Sequence, residues 1–264
     1  MKIVFSRKGF DSAAGGIPNP ILPDGTLLSL PIPSPKDDIP YSALSYKGMT
    51  FYEILRSLSP RTKITPSTTC HLDPDLRKEV LPRENWEPAF GQMGSSLMHL
   101  NNQGVSEGDI FLFFGWYRQT EIHKGNLRFV PAAPDLHIIF GYLQVGSIVR
   151  NKEDLPRELY SHPHAADFRW ATKKNALFLP TETLSWDPSS PGYGCLNYKP
   201  KRVLTKQGGG RRRLWDLPGF FRDIPISYNR RAWREYGFLS ASRGQEFVFE
   251  PNATALAWVK EIIE

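Results

Sequence analysis

The sequence predicts an α+β protein: a mixed, strongly bent sheet or small barrel, with peripheral helices and a proline-rich N-terminal arm. Three observations carry this. Two nearly continuous apolar runs, Asp109–Arg118 (DIFLFFGWYR) and His137–Val149 (HIIFGYLQVGSIV), read as central strands of a buried sheet or closed barrel. Gly115, Gly141 and Gly146 lie inside them, and a strand-interior glycine marks a bulge, a sharp bend or a close approach by another group. Seven prolines between Ile17 and Pro40 exclude helix and central strand from that stretch.

In chain order, Lys2–Phe5 reads as a short strand that leaves into the loop RKGFDSAAGG, where Gly9, Gly15 and Gly16 permit positive φ. The proline-rich arm follows, with Asp24-Gly25 as a tight turn and TLLSL (Thr26–Leu30) as a short edge strand. Its Leu27, Leu28, Leu30 and Ile32 are too apolar for a free linker, so the arm should lie on the domain. Thr50 and Glu53 form a capping box, and Phe51, Ile54, Leu55 and Leu58 continue at helical spacing, so a helix is expected from Phe51 to Leu58, before Pro60. From Thr62 to Asn102, broken by Pro66, Pro74, Pro82 and Pro88, the chain reads as surface loops with small helical turns. Beyond the two central strands, Asn175–Leu179 and Gln245–Glu250 read as strands. Helices are expected at Leu155–Tyr160, at Tyr228–Tyr236 behind Ser227, and at Ala253–Ile263 behind Asn252. The expectation is a single domain over residues 1–264, with strand and arm in 1–49 and a basic segment in 197–243.

The chain has 264 residues and a net charge of +6. A 30.0 kDa chain should fold to roughly 12,000 Å² of accessible surface, burying about 70% of what its unfolded form exposes. That is enough for a core without staples. Two cysteines, Cys70 and Cys195, exclude a disulfide framework and a four-cysteine zinc site. No apolar run nears the length of a membrane span or signal-peptide core, so a cytoplasmic protein without membrane contact is expected. The charge is uneven. Residues 197–243 carry twelve basic and three acidic side chains, a net +9 that leaves −3 for the rest. Localised positive charge of this kind attracts polyanions, although a solvated basic loop is the plainer alternative.

Three groups of residues could carry chemistry. Ser6, Arg7, Lys8 and Ser12 stand at a strand exit and could cradle a nucleotide phosphate, with Asp11 as acid or base. An exposed turn in which Asp11 and Ser12 bond their own backbone is the alternative. His162-Pro-His164 could supply an acid–base pair or share a metal, but a third ligand could only be guessed among Cys70, His71, Asp73 and Asp167, so no metal is assigned and no cofactor is identified. Proline-fixed, exposed imidazoles are the alternative. Trp116, Tyr117 and Trp186 adjoin strand ends or turns where a base could stack, while Lys199, Lys201, Arg202, Lys206, Arg211, Arg212 and Arg213 could follow a nucleic-acid backbone. No P-loop, dinucleotide fingerprint, Gly-x-Ser-x-Gly or zinc-deaminase motif occurs.

The opening block MKIVFSRKGFDSAAGGIPNPILPDGTLLSLPIP, with HIIFGYLQVG, HPHAAD, NALFLP and RGQEFVFE, resembles the third class of nucleotide-modification-associated domains of bacteria and their phages, over nearly the whole chain. The resemblance implies a DNA-modification context and DNA or a nucleotide as partner. It brings no catalytic residues with it. At fold level, Gly108-Asp-Ile-Phe111 and the following IIFGYLQVG are similar to modified-base-reading barrels of the PUA and EVE kind, although those are shorter and lack the arm and the basic segment. The expected function is capture of a nucleotide or modified base in an aromatic pocket flanked by the basic segment. The alternative is a transferase, glycosidase or hydrolase acting on a nucleotide or DNA base through the Ser6–Ser12 loop and the two histidines.

Overall fold

A computed structural model describes residues 1–171, 174–227, 232–241 and 246–264. Its core is a strongly curled, half-barrel mixed sheet, as the internal glycines predicted. Besides several two- to five-residue strands in the arm and in 183–191, the strands are β1 (Ile3–Arg7), β2 (Asn19–Ile21), β3 (Thr69–His71), β4 (Phe90–Met93), β5 (Ile110–His123), β6 (Asn126–Phe129), β7 (Leu136–Val149), β8 (Asn175–Pro180), β9 (Tyr193–Cys195), β10 (Leu214–Trp215), β11 (Trp233–Arg234), β12 (Gly237–Leu239) and β13 (Phe247–Phe249). The main sheet runs β13-β1-β5-β7-β8-β4, with β2 and β6 also on β5, and β9 on β7. β1 is parallel to β5, and the other pairs along this path are antiparallel. The register of β7 shifts between Ile139 and Gly141 against β5, and between Val145 and Ser147 against β8. At the second shift a Cβ on Gly146 would sit 2.5 Å from the Pro180 carbonyl oxygen, so the bend depends on glycine.

Both long strands are buried on two sides. Phe5, Leu112, Phe114, Trp215, Phe221 and Phe247 fill one core, under the C-terminal helix, while Phe90, Phe111, Phe113, Phe140 and Phe178 fill the other. That explains sequence runs without alternation. The Gly108-Asp109 turn opens β5 because Asp109 accepts hydrogen bonds from the backbone amides of Lys2 and Ser106.

The arm does lie on the sheet. Asn19 pins it: its Oδ1 accepts from the amides of Leu30 (2.7 Å) and Phe10 (3.3 Å), and its Nδ2 donates to the carbonyls of Trp116 and Phe10. Leu28, Leu30, Tyr41 and Leu44 then share a third core with Phe10 and with Phe51, Ile54, Leu55 and Leu58 of helix α1 (Phe51–Leu58). The capping box is formed, with Thr50 Oγ1 accepting from the Glu53 amide and Glu53 Oε2 accepting from the Thr50 amide. Thr26–Leu30 is not the predicted edge strand. It is buried but makes only isolated bridges, Ile21 with Leu27 and Thr26 with Asn197.

Other differences have local causes. The stretch 62–102 contains β3, β4 and helix α2 (Gly94–Asn102), not only loops. β4 (FGQM) has no alternation, and α2 starts at a glycine without a side-chain cap and buries only Leu97 and Leu100. At Leu155–Tyr160 there is no α-helix, only a 3₁₀ turn at Arg157–Leu159 behind Pro156. Part of Tyr228–Tyr236 lies outside the described residues; its described end forms β11, paired with β12 across a tight turn into Gly237. Helix α3 (Asp167–Trp170) was not anticipated, whereas α4 (Ala253–Ile263) stands as expected, with Asn252 Oδ1 accepting from the Ala255 amide.

Candidate functional site

The β1 exit loop is where two clefts meet. The smaller, about 480 Å³, is lined by Arg7, Lys8, Asp11, His71, Asp73 and His164 among others, the larger, about 1000 Å³, by Arg7, Ser12, His137 and Arg211–Arg213 among others. Arg7 belongs to both.

At the floor of the smaller cleft, His71, Asp73 and His164 each bring one donor atom to within 4.8 Å of the others. Distant elements supply them: the end of β3, the residues just after it, and a 3₁₀ turn at Pro163–Ala165. Each imidazole is oriented from behind. Nδ1 of His71 donates to Asp37 Oδ2 at 2.9 Å, and Asp37 is itself held by Arg169 Nη2 at 2.7 Å. Nδ1 of His164 donates to Asn175 Oδ1 at 2.7 Å, and the amide orientation is fixed because Asn175 Nδ2 donates to the His164 carbonyl at 2.9 Å. The His164 ring lies against Gly91, where a Cβ would come within 2.1 Å of it. Gly91 also gives its amide to Asp73 Oδ1 at 2.6 Å, so one backbone residue sets both side chains.

Electrostatics sort the protonation states. Burial presses the His164 pKa down to about 3, against the opposing pull of Asp73, so the ring is neutral. Burial also works against an ionised Asp73, but Lys8, whose Nζ lies 3.6 Å from Asp73 Oδ2, and His162 outweigh it and hold the carboxyl below its ordinary range. His162 stands behind Asp73. Its Nδ1 accepts from the His164 amide, which leaves the proton on Nε2, buried and 3.5 Å from Asp73 Oδ1. The arrangement offers a neutral imidazole, a carboxylate and an ammonium within one cleft.

The larger cleft is framed by the loop from Lys206 to Leu214, closed by the Lys206 amide donating to the Leu214 carbonyl. Arg212 lies over the Trp116 ring at 4.0 Å and donates to Ser12 Oγ, so the glycine-arginine tract and the β1 exit loop touch. Below them, buried His137 accepts a hydrogen bond from Trp215 Nε1 at 2.9 Å.

The sequence-predicted residues divide accordingly. Arg7, Lys8, Asp11 and His164 meet in the smaller cleft; Ser12, Lys206, Arg211, Arg212 and Arg213 join Arg7 in the larger one. Asp11 holds the loop as well: its Oδ1 accepts from the amides of Ala13 and Ala14, and its Oδ2 lies 3.9 Å from Arg7. Ser6 is buried behind the loop and donates to Glu246. His162 and His164 are buried, not exposed on a loop. Tyr117 is 0% exposed and packs on Phe140, so it shows no face to a base. Trp116 is buried with its ring covered by Arg212, and Trp186 packs at the C-terminal core with Lys260 over it. Arg202 is 3% exposed and donates to the carbonyls of Asn197, Ile262 and Ile263, closing the end of α4. Lys199 donates to the Glu264 carbonyl beside it, and Lys201 is half-buried in the same turn, Pro200–Arg202. Within 197–243, Arg230, Arg231 and Arg243 lie outside the described residues.

Asp37, Gly91, His137, Arg169 and Asn175 carry no signal in the sequence that marks them for this site. Of the third ligands guessed, Cys70, His71, Asp73 and Asp167, His71 and Asp73 come together with His164.

His137 gives a pH prediction. Burial, then Arg7 and Arg212, lower its pKa to about 3. The unfolded chain therefore takes up this proton first, near pH 6.5, and stability falls as pH drops from there towards 3, by up to about 1.4 kcal/mol per unit. His137→Asn, which keeps an acceptor for Trp215, should flatten urea-unfolding free energy against pH by about one proton between roughly pH 6 and 4.5. An unchanged slope would contradict the burial argument.

Comparison with known proteins adds the family. Residues 2–250 match nucleotide modification associated domain 3. No curated protein and no solved structure matches, and the similarity to PUA and EVE barrels is not confirmed. Among the described residues no helix is long and apolar enough to cross a membrane.

Proposed function

Because the chain belongs to the nucleotide modification associated domain 3 family, we propose that it is an enzyme acting on a nucleotide or DNA base, with its chemistry in the smaller cleft and the phosphates held in the larger. The observation that supports this is Arg7, which lines both clefts and so joins a cation-rich surface to a buried histidine–aspartate cluster. Phosphates are strong acceptors for guanidinium groups, and a base carried past Arg7 would enter the cleft that holds His164, Asp73 and Lys8. These groups can hold and move protons on a substrate kept away from bulk water.

Incubation of the full chain with nucleotides and with modified and unmodified DNA, followed by nucleoside mass spectrometry, tests the reading. A new nucleoside mass is expected, falling on the order of 100-fold or more with His164→Ala. Equal product from that variant would remove the cluster from catalysis.

A binding role without turnover is favoured by the larger cleft, where Arg212 stacked on Trp116 presents a flat cation. Either reading expects DNA affinity to fall with salt. Replacing Arg211, Arg212 and Arg213 together by alanine should reduce the log–log salt slope by up to about 2–3, at roughly 0.9 for each phosphate no longer neutralised. An unchanged slope would take the loop out of the interface.

A further inference from the structure

We propose that His71, Asp73 and His164 form a binding site for one divalent transition-metal ion, of the zinc or iron(II) class, opening onto the smaller cleft.

The ligand set carries the proposal. Two imidazoles and one carboxylate, their donor atoms within 4.8 Å of one another, are the nitrogen and oxygen donors that such ions take, leaving positions open for water or substrate. Bond lengths of about 2.0–2.2 Å would draw the donors to roughly 3–3.5 Å apart, a closure of up to about 1.3–1.8 Å. The surroundings point the same way. With Nδ1 of His71 committed to Asp37 and Nδ1 of His164 committed to Asn175, each ring has its Nε2 left to bind. A carboxylate or amide oxygen behind a ligating histidine fixes its tautomer and makes the ring a better donor. Asp73 is oriented from behind as well: buried His162 turns its Nε2 towards Asp73 Oδ1 at 3.5 Å. Lys8 Nζ lies 3.6 Å from Asp73 Oδ2, so a metal ion bound here would take the place of the ammonium at that oxygen.

Any part the ion plays in turnover rests on the enzyme reading above, but binding is measured without turnover. The full chain, stripped with a chelator, would be titrated with Co²⁺ by visible absorption and with Zn²⁺ by calorimetry. One equivalent of Co²⁺ is expected, with d–d bands that Zn²⁺ abolishes. His71→Ala, Asp73→Asn and His164→Ala should each weaken binding on the order of 100-fold or more, and Asp37→Asn, which leaves every ligand in place, by roughly 10- to 100-fold. His123→Gln, at an exposed histidine elsewhere, should bind like the wild type. Absence of stoichiometric binding would overturn the site, as would binding that survives in the three ligand variants. Should a ligand variant fail to fold, Asp37→Asn decides: unchanged affinity there counts against the assignment. Binding without any nucleoside product would keep the site and sink the enzyme reading.

Discussion

Replacing Gly91 by alanine is expected to cost about 2–4 kcal/mol of stability and to abolish the chemistry of the smaller cleft. The new Cβ would come within 2.1 Å of the His164 ring, so the ring must leave its place. Overpacking of this kind costs about 1–3 kcal/mol, and losing the His164–Asn175 hydrogen bond adds about 0.5–1.5. The backbone cannot yield instead, because Gly91 is paired with Leu177 in β8 and donates to Asp73. Urea midpoints and nucleoside product together check this. A variant as stable and as active as the wild type would show that the ring and strand are not in contact. Gly91→Ala is also a clean probe of position, since it adds no charge and removes no functional group.

Arg202→Ala is the second large effect, and here stability and binding should separate. The guanidinium is buried and satisfies three carbonyls, two of them at the end of α4. Charged hydrogen bonds are worth about 1.5–3 kcal/mol each when partners are left unsatisfied, and water will reclaim part of that, so a loss of about 2–4 kcal/mol is expected. The positive charge at a helix C-terminus also complements the dipole there. Because this arginine has no free face for a phosphate, the salt slope of DNA binding should stay within error of the wild type. A slope lower by about 0.9 would mean that it touches a phosphate after all. The contrast with Arg211–Arg213 separates a structural member of the basic segment from members that line the larger cleft.

That contrast shows how far a sequence can be read. Net charge over 197–243 is additive, so it was visible without coordinates. What each arginine does is not additive: Arg202 faces the end of a helix some sixty residues later, while Arg212 reaches a tryptophan on β5 and a serine beyond β1. The two central strands, the capping box and the Asn252 cap were legible because their signals are local. α2 and β4 were not, since one lacks a side-chain cap and the other lacks alternation. For Tyr117 and Trp116, an aromatic at a strand end looks the same whether it faces a core or a cleft; the tertiary structure put Tyr117 in the core and Trp116 beneath Arg212.

The candidate site follows the same division. His162-Pro-His164 and the Ser6–Ser12 loop drew attention because residue type and short spacing suggest chemistry. His71 and Asp73 could be offered only as guesses, and Asp37, Gly91 and Asn175 not at all, since nothing in their neighbours' identity announces a role. The sequence alone determined a curled α+β sheet, an arm apolar enough to pack on it, and a positive charge concentrated in residues 197–243, each set by periodicity, propensity or composition. The tertiary structure decided which histidine meets which carboxylate. Those partners lie on strands and turns far apart in the chain, and only the pairing of β8 with β4, and the arm folded over both the sheet and β3, brings them within reach.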